Sequence, residues 1–374
     1  MTTDSIGVYV HIPYCIRKCN YCDFCSLPIG LPSVPDTYID RLVSEIYEYN
    51  SFGEIRASSI YFGGGTPSLL TSEQLSRIVS ALKKVFKFEK DTEFTVEANP
   101  GTLDFTKLRG YRDIGVNRIS LGVQSLIDEE LSLLGRIHNA DEAYRSVEMI
   151  RAAGFDNLNI DLMYGIPCET EESFLSSLRK VIDLKPEHIS VYGLIVEEGT
   201  TFYCNRDKLS LPTEDRECDM YYAASRLLSL YGYEHYEISN YSLRGKRSRH
   251  NLKYWNACEY IGVGASAASY FKGRRYSNTC SVDEYISGKS LEYSSCEPLS
   301  KEERMFEYAM MNLRLADGLS LSDYKSRFSA DFLCGREEPL GKYSSLSLIE
   351  MKGDNIRLTE KGFYLSNTIL ADLL

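Results

Sequence analysis

Six short β-favouring runs, each followed by a stretch of helical periodicity, constrain this chain more than any other feature. They cover residues 8–12, 59–62, 94–97, 118–121, 158–162 and 189–192. Between them lie amphipathic segments; Ala140, Ala143, Tyr144, Val147 and Ile150, for example, share one helical face. Asn139 opening that segment, and Thr71 with Gln74 further upstream, are N-cap signals. Parallel strands can be joined only by a crossover, so repeated strand–helix units predict a parallel sheet. Six units suit an α/β fold, a partial (β/α)6 barrel, better than a small open sheet.

The unusual residues stand at the ends of these runs. Cysteines follow the first, and Gly63-Gly64-Gly65-Thr66-Pro67 follows the second. The third closes on Glu97-Ala98-Asn99-Pro100, the fourth on Gly122-Val123-Gln124-Ser125, and the fifth on Asp161-Leu162-Met163-Tyr164-Gly165. In a βα barrel the C-terminal strand ends share the face where ligands bind. Five motifs far apart in sequence are therefore expected in one pocket.

The 374 residues suit two or three domains, at about 150 residues each. A net charge of −11 argues against non-specific grip on nucleic acid or anionic lipid. No run approaches the ~18 apolar residues of a membrane span, and Met1–Ser5 lacks the pattern of a signal peptide. A cytoplasmic protein is expected, in which thiols stay reduced and clustered cysteines serve metals or catalysis. Cys15, Cys19, Cys22 and Cys25 are such a cluster, while the other cysteines are scattered singly. Three thiolates at this spacing suit an iron–sulfur cluster with one open iron. Taken alone, the loop also suits a zinc knuckle that includes Cys25, or a redox dithiol at Cys19 and Cys22.

The loop does not stand alone. Cys-x3-Cys-x2-Cys after a first strand, with Tyr21 before the third cysteine, resembles the radical S-adenosylmethionine (SAM) superfamily. Tyr9-Val10-His11-Ile12-Pro13 and the motifs after the second, fourth and fifth strands resemble, more narrowly, the oxygen-independent coproporphyrinogen dehydrogenase family. That resemblance implies a [4Fe-4S] cluster on Cys15, Cys19 and Cys22, with SAM on the open iron. It places Tyr9 and Tyr21 beside the cluster and adenine, and Gly64, Gly65 and Thr66 along the methionine portion. Glu97, Gln124, Arg136 and Asp161 would meet the charged and hydroxyl groups of SAM, and Ala268 also matches the family pattern. These pairings make chemical sense, a carboxylate for an ammonium or ribose and an arginine for a carboxylate.

Two departures separate the chain from the dehydrogenases of that family. Cys22 is followed by Asp23-Phe24-Cys25 rather than Gly-Cys, and only a short segment precedes Cys15. The chain resembles instead the family's heme chaperone branch, whose His-Asn-x-x-Tyr-Trp stands here as residues 250–255. His250 is then a candidate ligand of heme iron, Tyr254 and Trp255 candidate stacking partners, and Arg244, Lys246, Arg247 and Arg249 candidate partners of the propionates. On residue chemistry alone, a loop histidine, a buried aromatic pair and a solvated basic run account for the same stretch. His11, His138, His188 and His235 read as structural, with His11 close to the cluster loop.

The branch implies heme as ligand, apo-hemoproteins such as respiratory enzymes as acceptors, an electron donor to the cluster, and transient contact with a membrane surface. Oxidative decarboxylation of coproporphyrinogen III is the alternative, and whether SAM is cleaved stays open. The organisation expected is a barrel over 1–205, an extension carrying the His-Asn-x-x-Tyr-Trp segment over 206–299, and a C-terminal domain over 300–374. That last part reads as mostly helical and winged-helix-like, with a hairpin around Gly353-Asp354-Asn355. It carries slightly more acid than base, which favours packing or covering the barrel over binding DNA.

Overall fold

A computed structural model describes residues 5–30, 33–288, 296 and 298–374; the first four residues, used above in reading the N-terminus, lie outside this set. The six strands expected from the sequence form as β1 (Ile6–Ile12), β2 (Ile55–Gly64), β3 (Phe86–Ala98), β4 (Arg118–Gln124), β5 (Leu158–Tyr164) and β6 (His188–Gly193). They pair in parallel and in sequence order, separated by helices. Both anticipated N-caps are present, and each closes a capping box, Thr71 with Gln74 and Asn139 with Glu142.

Each strand has two different faces, because side chains alternate along it. Val8, Val10 and Ile12 of β1, Ile60 and Phe62 of β2, and Ile119 and Leu121 of β4 are buried in the main core with the helices. The intervening positions are polar: Tyr9 and His11, Ser59 and Tyr61, Thr95 and Glu97, Arg118 and Ser120, Asn159 and Asp161. One alternation thus builds both an apolar outer shell and a polar lumen.

The sheet is wider than six strands. Two short strands, β7 (Glu234–His235) and β8 (Asn240–Ser242), add antiparallel at the β6 edge. At the other edge β9 (Tyr260–Val263) pairs parallel with β1, giving a seventh parallel strand, and β10 (Ala268–Phe271) and β11 (Arg274–Ser277) complete eleven. The small-residue run that begins at Gly262 allows this tight edge: a Cβ on Gly262 would lie 2.1 Å from the Ala268 carbonyl oxygen.

The C-terminal part has its own apolar cluster, helices including Lys301–Asn312, and a three-stranded antiparallel sheet. The expected hairpin is Ile349–Lys352 against Asn355–Leu358, in keeping with a winged-helix-like unit. It joins the rest of the chain through apolar contact, with Tyr221 buried in its cluster and Tyr164 of β5 packed against it, and through polar contacts: Ala316 N–H donates to Tyr236 O, and Arg247 pairs with Asp317 at 2.5 Å.

Candidate SAM and cluster site

The cysteine loop leaves β1 at Ile12 and is tied back by a two-residue ladder of Tyr14–Cys15 with Leu27–Pro28. Glycine is required just above it. Gly65 N–H donates to Ile12 O at 2.8 Å, and a Cβ on Gly65 would fall 2.6 Å from the Tyr14 carbonyl oxygen. Gly64 takes φ 113° and faces the His11 ring, which a Cβ would meet at 2.6 Å. The two glycines therefore serve first to close the turn on the protein's own backbone and on His11. Gly65→Ala should destabilise the fold by about 2–3 kcal/mol, since a backbone neighbour cannot step aside. Thermal unfolding checks this, and an unchanged Tm would contradict it.

Cys15, Cys19 and Cys22 are free and half-buried. Burial pushes the Cys15 and Cys22 thiols up, and repulsion from the neighbouring cysteines adds to it. A chain of polar side chains links Cys15 to Cys19. Thr66 Oγ1 donates to Cys15 Sγ at 3.5 Å, and Asn99 Nδ2 donates to Thr66 Oγ1 at 3.0 Å. Arg136 donates through Nη2 to Asn99 Oδ1 at 2.5 Å and to Gly122 O at 2.6 Å, and through Nη1 to Cys19 Sγ at 3.5 Å. Its Nε is buried with no hydrogen-bond partner among the described residues, a donor in want of an acceptor at the edge of the thiols. Among the described residues no three His, Cys, Asp or Glu side chains close on a single ion. A four-iron cluster takes each thiolate on a different iron and needs only that they surround a common space. Half-buried thiols with donors aimed at them fit such a group.

Beside the loop lies a cleft of about 350 Å³ lined by Tyr9, Gly64, Glu97, Tyr254 and Ala268, together with Phe24 and Cys25 of the loop. Glu97 is held from two sides: Tyr61 OH donates to Oε1 at 2.7 Å and Gly64 N–H to Oε2 at 3.2 Å. Burial pushes its carboxyl up to about 7, with Asp161 adding repulsion. Asp161 is also raised by burial and accepts from Asn159 Nδ2 at 2.7 Å. Tyr9 OH lies 2.9 Å from His11 Nδ1, and His11 Nε2 lies 3.1 Å from Cys25 O, so the first strand is wired to the loop. Gln124 sits where β4 slips register against β5 and takes φ 70°, a conformation uncommon outside glycine. Tyr21 packs near Leu134, Met163, Ile166 and Phe202, within the electrostatic reach of Arg136.

The segment read as a heme site is a helix, Arg249–Trp255, seated against β1 and β2. Glu93 accepts from the N–H groups of Arg249 and His250 at 3.1 and 3.0 Å. His250 is 1% exposed, with Nδ1 3.0 Å from Ser59 Oγ and Nε2 2.8 Å from Tyr254 OH. In this conformation neither nitrogen faces solvent or an open cavity. Trp255 is half-buried, and its carbonyl accepts from Asn312 Nδ2 at 3.2 Å. Arg247 pairs with Asp317 and Glu234, Arg249 with Asp91 and Glu89, and Lys246 Nζ reaches Asp156 O. A propionate would have to compete with these partners.

Comparison with known proteins agrees with this fold. Residues 9–181 match the model of the radical SAM superfamily, and residues 299–365 that of the HemN C-terminal domain. The chain is 38% identical to the heme chaperone HemW of Lactococcus lactis over 98% of its own length and 97% of the relative's. The corresponding figures for the heme chaperone HemW of Bacillus subtilis are 35%, 98% and 99%. The chain belongs to the HemW family of radical SAM proteins. Its fold is shared with coproporphyrinogen III oxidase (HemN) from Escherichia coli, with a TM-score of 0.86 at 23% identity, covering 99% of this chain and 90% of that one. Radical SAM membership implies a [4Fe-4S] cluster and SAM.

Three residues of the site were not singled out in the sequence. Asn99 lies within a motif already noted, yet only the structure shows that it links Thr66 to Arg136. Tyr61 stands in an apolar run, where its hydroxyl was the available clue. Arg118 opens β4, is 2% exposed, and its Nε is buried with no hydrogen-bond partner among the described residues; its charge lowers both Glu97 and Asp161. A cation at the head of an apolar strand, on the face shared with Gly122, was its signal.

Proposed function

We propose that this protein binds heme and passes it to apo-hemoproteins, respiratory enzymes among them, while carrying a [4Fe-4S] cluster and SAM. The observation that carries this reading is the likeness to heme chaperones over nearly the whole chain. The histidine–tyrosine–tryptophan helix packed on the barrel beside the cleft supports it. Cys15, Cys19 and Cys22 would hold the cluster, and an electron donor would reduce it. Glu97 and Asp161 would receive the ammonium and ribose of SAM, Arg136 its carboxylate, and Tyr9, Tyr21, Gln124 and Ala268 would bound the remainder. When bound, the cluster and SAM supply one-electron chemistry; the chain's own residues orient the ligand and limit its contact with water. Tyr254 and Trp255 would offer flat apolar surface to the macrocycle. Delivery takes place in the cytoplasm, with transient contact at a membrane surface where the acceptor is membrane-bound; no helix of the described residues is long and apolar enough to cross a membrane.

Two assays on anaerobically reconstituted protein test this. Heme titration should give a saturable change in the visible spectrum, weakened in Trp255→Ala. Incubation with coproporphyrinogen III, SAM and a reductant should give no protoporphyrinogen. Turnover of coproporphyrinogen would replace the chaperone reading with the dehydrogenase one.

A further inference from the structure

His250 is buried although it belongs to a seven-residue helix at the edge of the barrel. Its ring stacks on Tyr61, centroids 5.1 Å apart and planes 26° apart, while Tyr61 OH holds Glu97 Oε1 at 2.7 Å. Its Nε2 holds the hydroxyl of Tyr254, which lines the cleft together with Glu97, Gly64 and Ala268. One imidazole therefore braces the tyrosine that fixes the Glu97 rotamer and a second tyrosine in the cleft wall. The fit is close on the other side as well. A Cβ on Gly7 would lie 3.2 Å from His250 Cε1 and 3.1 Å from Lys253 Cδ, so the helix is pressed directly on β1.

We propose that His250 is a positioning residue of the SAM cleft, acting through Tyr61 and Tyr254, and that ligation of heme iron by this imidazole opposes SAM binding. The inference rests on the reading that SAM meets Glu97. A neutral imidazole has one donor nitrogen and one acceptor lone pair, and iron takes the lone pair. Ser59 and Tyr254 occupy both nitrogens, and no solvent-facing edge remains. Heme iron can reach the lone pair only if the ring leaves Ser59, Tyr254 and its stack on Tyr61. That movement frees Tyr61 from its brace and Tyr254 from the cleft wall. Coupling of this kind is reciprocal: heme weakens SAM by the same factor by which SAM weakens heme.

The test is calorimetry of SAM binding to cluster-loaded protein, as wild type, His250→Ala, His250→Gln, Ser59→Ala and Glu97→Gln. His250→Ala should bind SAM roughly tenfold more weakly with unchanged iron content. His250→Gln, whose amide both donates and accepts, should recover part of the loss. Ser59→Ala removes only the Nδ1 contact and gives a smaller loss, which keeps the test open if His250→Ala folds poorly. Wild-type SAM affinity in His250→Ala and Ser59→Ala, beside weakened binding in Glu97→Gln, overturns the positioning role. Wild-type affinity in Glu97→Gln overturns the SAM placement itself. In a second arm, heme is titrated with and without saturating SAM. SAM should shift the heme curve of wild type and leave that of His250→Ala unmoved; superimposable wild-type curves overturn the opposition.

Discussion

Replacing Cys15, Cys19 or Cys22 by serine is expected to strip anaerobically reconstituted protein of its iron, about four atoms per chain, while Cys25→Ser keeps it. The surroundings of the four thiols differ in kind. Cys15 and Cys19 receive donors from Thr66 and Arg136, and Cys22 is near enough to feel both. Cys25 turns away: its Sγ donates to Cys280 O at 3.2 Å, and its carbonyl is held by His11. Moving Cys25 in beside the other three would break both contacts. Iron analysis and the visible spectrum of the four variants decide the matter. Equal loss in Cys25→Ser would mean that all four iron positions are filled by protein, and the place reserved for SAM would vanish.

The parallel sheet was legible because period-two alternation, crossover helices and capping residues all pointed the same way. Val8, Val10 and Ile12 read as a strand, and Thr71 with Gln74 as a helix start, from local chemistry alone. The edges of the sheet were not legible. Tyr260–Val263 is short and glycine-bearing, and its pairing with β1 and with Ala268–Phe271 makes it a strand. Long-range contact settled it, and periodicity could not.

Much the same division holds in the site. Strand exits placed the cysteines, Thr66 and Glu97 in one region, because a barrel sends all its strand ends to one face; Arg136 came only from the family resemblance. Sequence could not show how they are wired. The Thr66–Asn99–Arg136 chain joins residues more than thirty positions apart. The burial of His250 was also hidden. It depends on Ser59 and Tyr61, on a strand nearly two hundred positions earlier.

The polar lumen sets the charge state of the site. Glu97 and Asp161 are both raised by burial, and repulsion from Asp161 raises Glu97 further. Arg118 opposes this from the adjacent strand, as a buried cation whose Nε has no hydrogen-bond partner among the described residues. A buried guanidinium left without compensation is costly, so the two carboxylates are its electrostatic counterweight. The arrangement holds Glu97 near its midpoint at neutral pH, ready to be ionised fully by an arriving cation.

SAM affinity is accordingly expected to rise with pH through the region of 7, where the Glu97 carboxyl ionises. The sign follows from the direction of the shift. A raised carboxyl is protonated, and a poor partner for an ammonium, below about 7; it becomes a carboxylate above. For the free protein the same shift means that stability falls as pH climbs from the ordinary carboxylate range to about 7, because the unfolded chain ionises first. Glu97→Gln should remove this contribution to both pH dependences. At alkaline pH it should also weaken SAM binding by roughly 10- to 150-fold, the equivalent of a charge-assisted hydrogen bond of about 1.5–3 kcal/mol. Asp161→Asn should weaken binding in the same direction, and both variants should keep their iron. Calorimetry at a series of pH values on either side of neutrality measures all of this. A Glu97→Gln protein that binds SAM as tightly as wild type at every pH would show that this carboxylate makes no contact with the ligand.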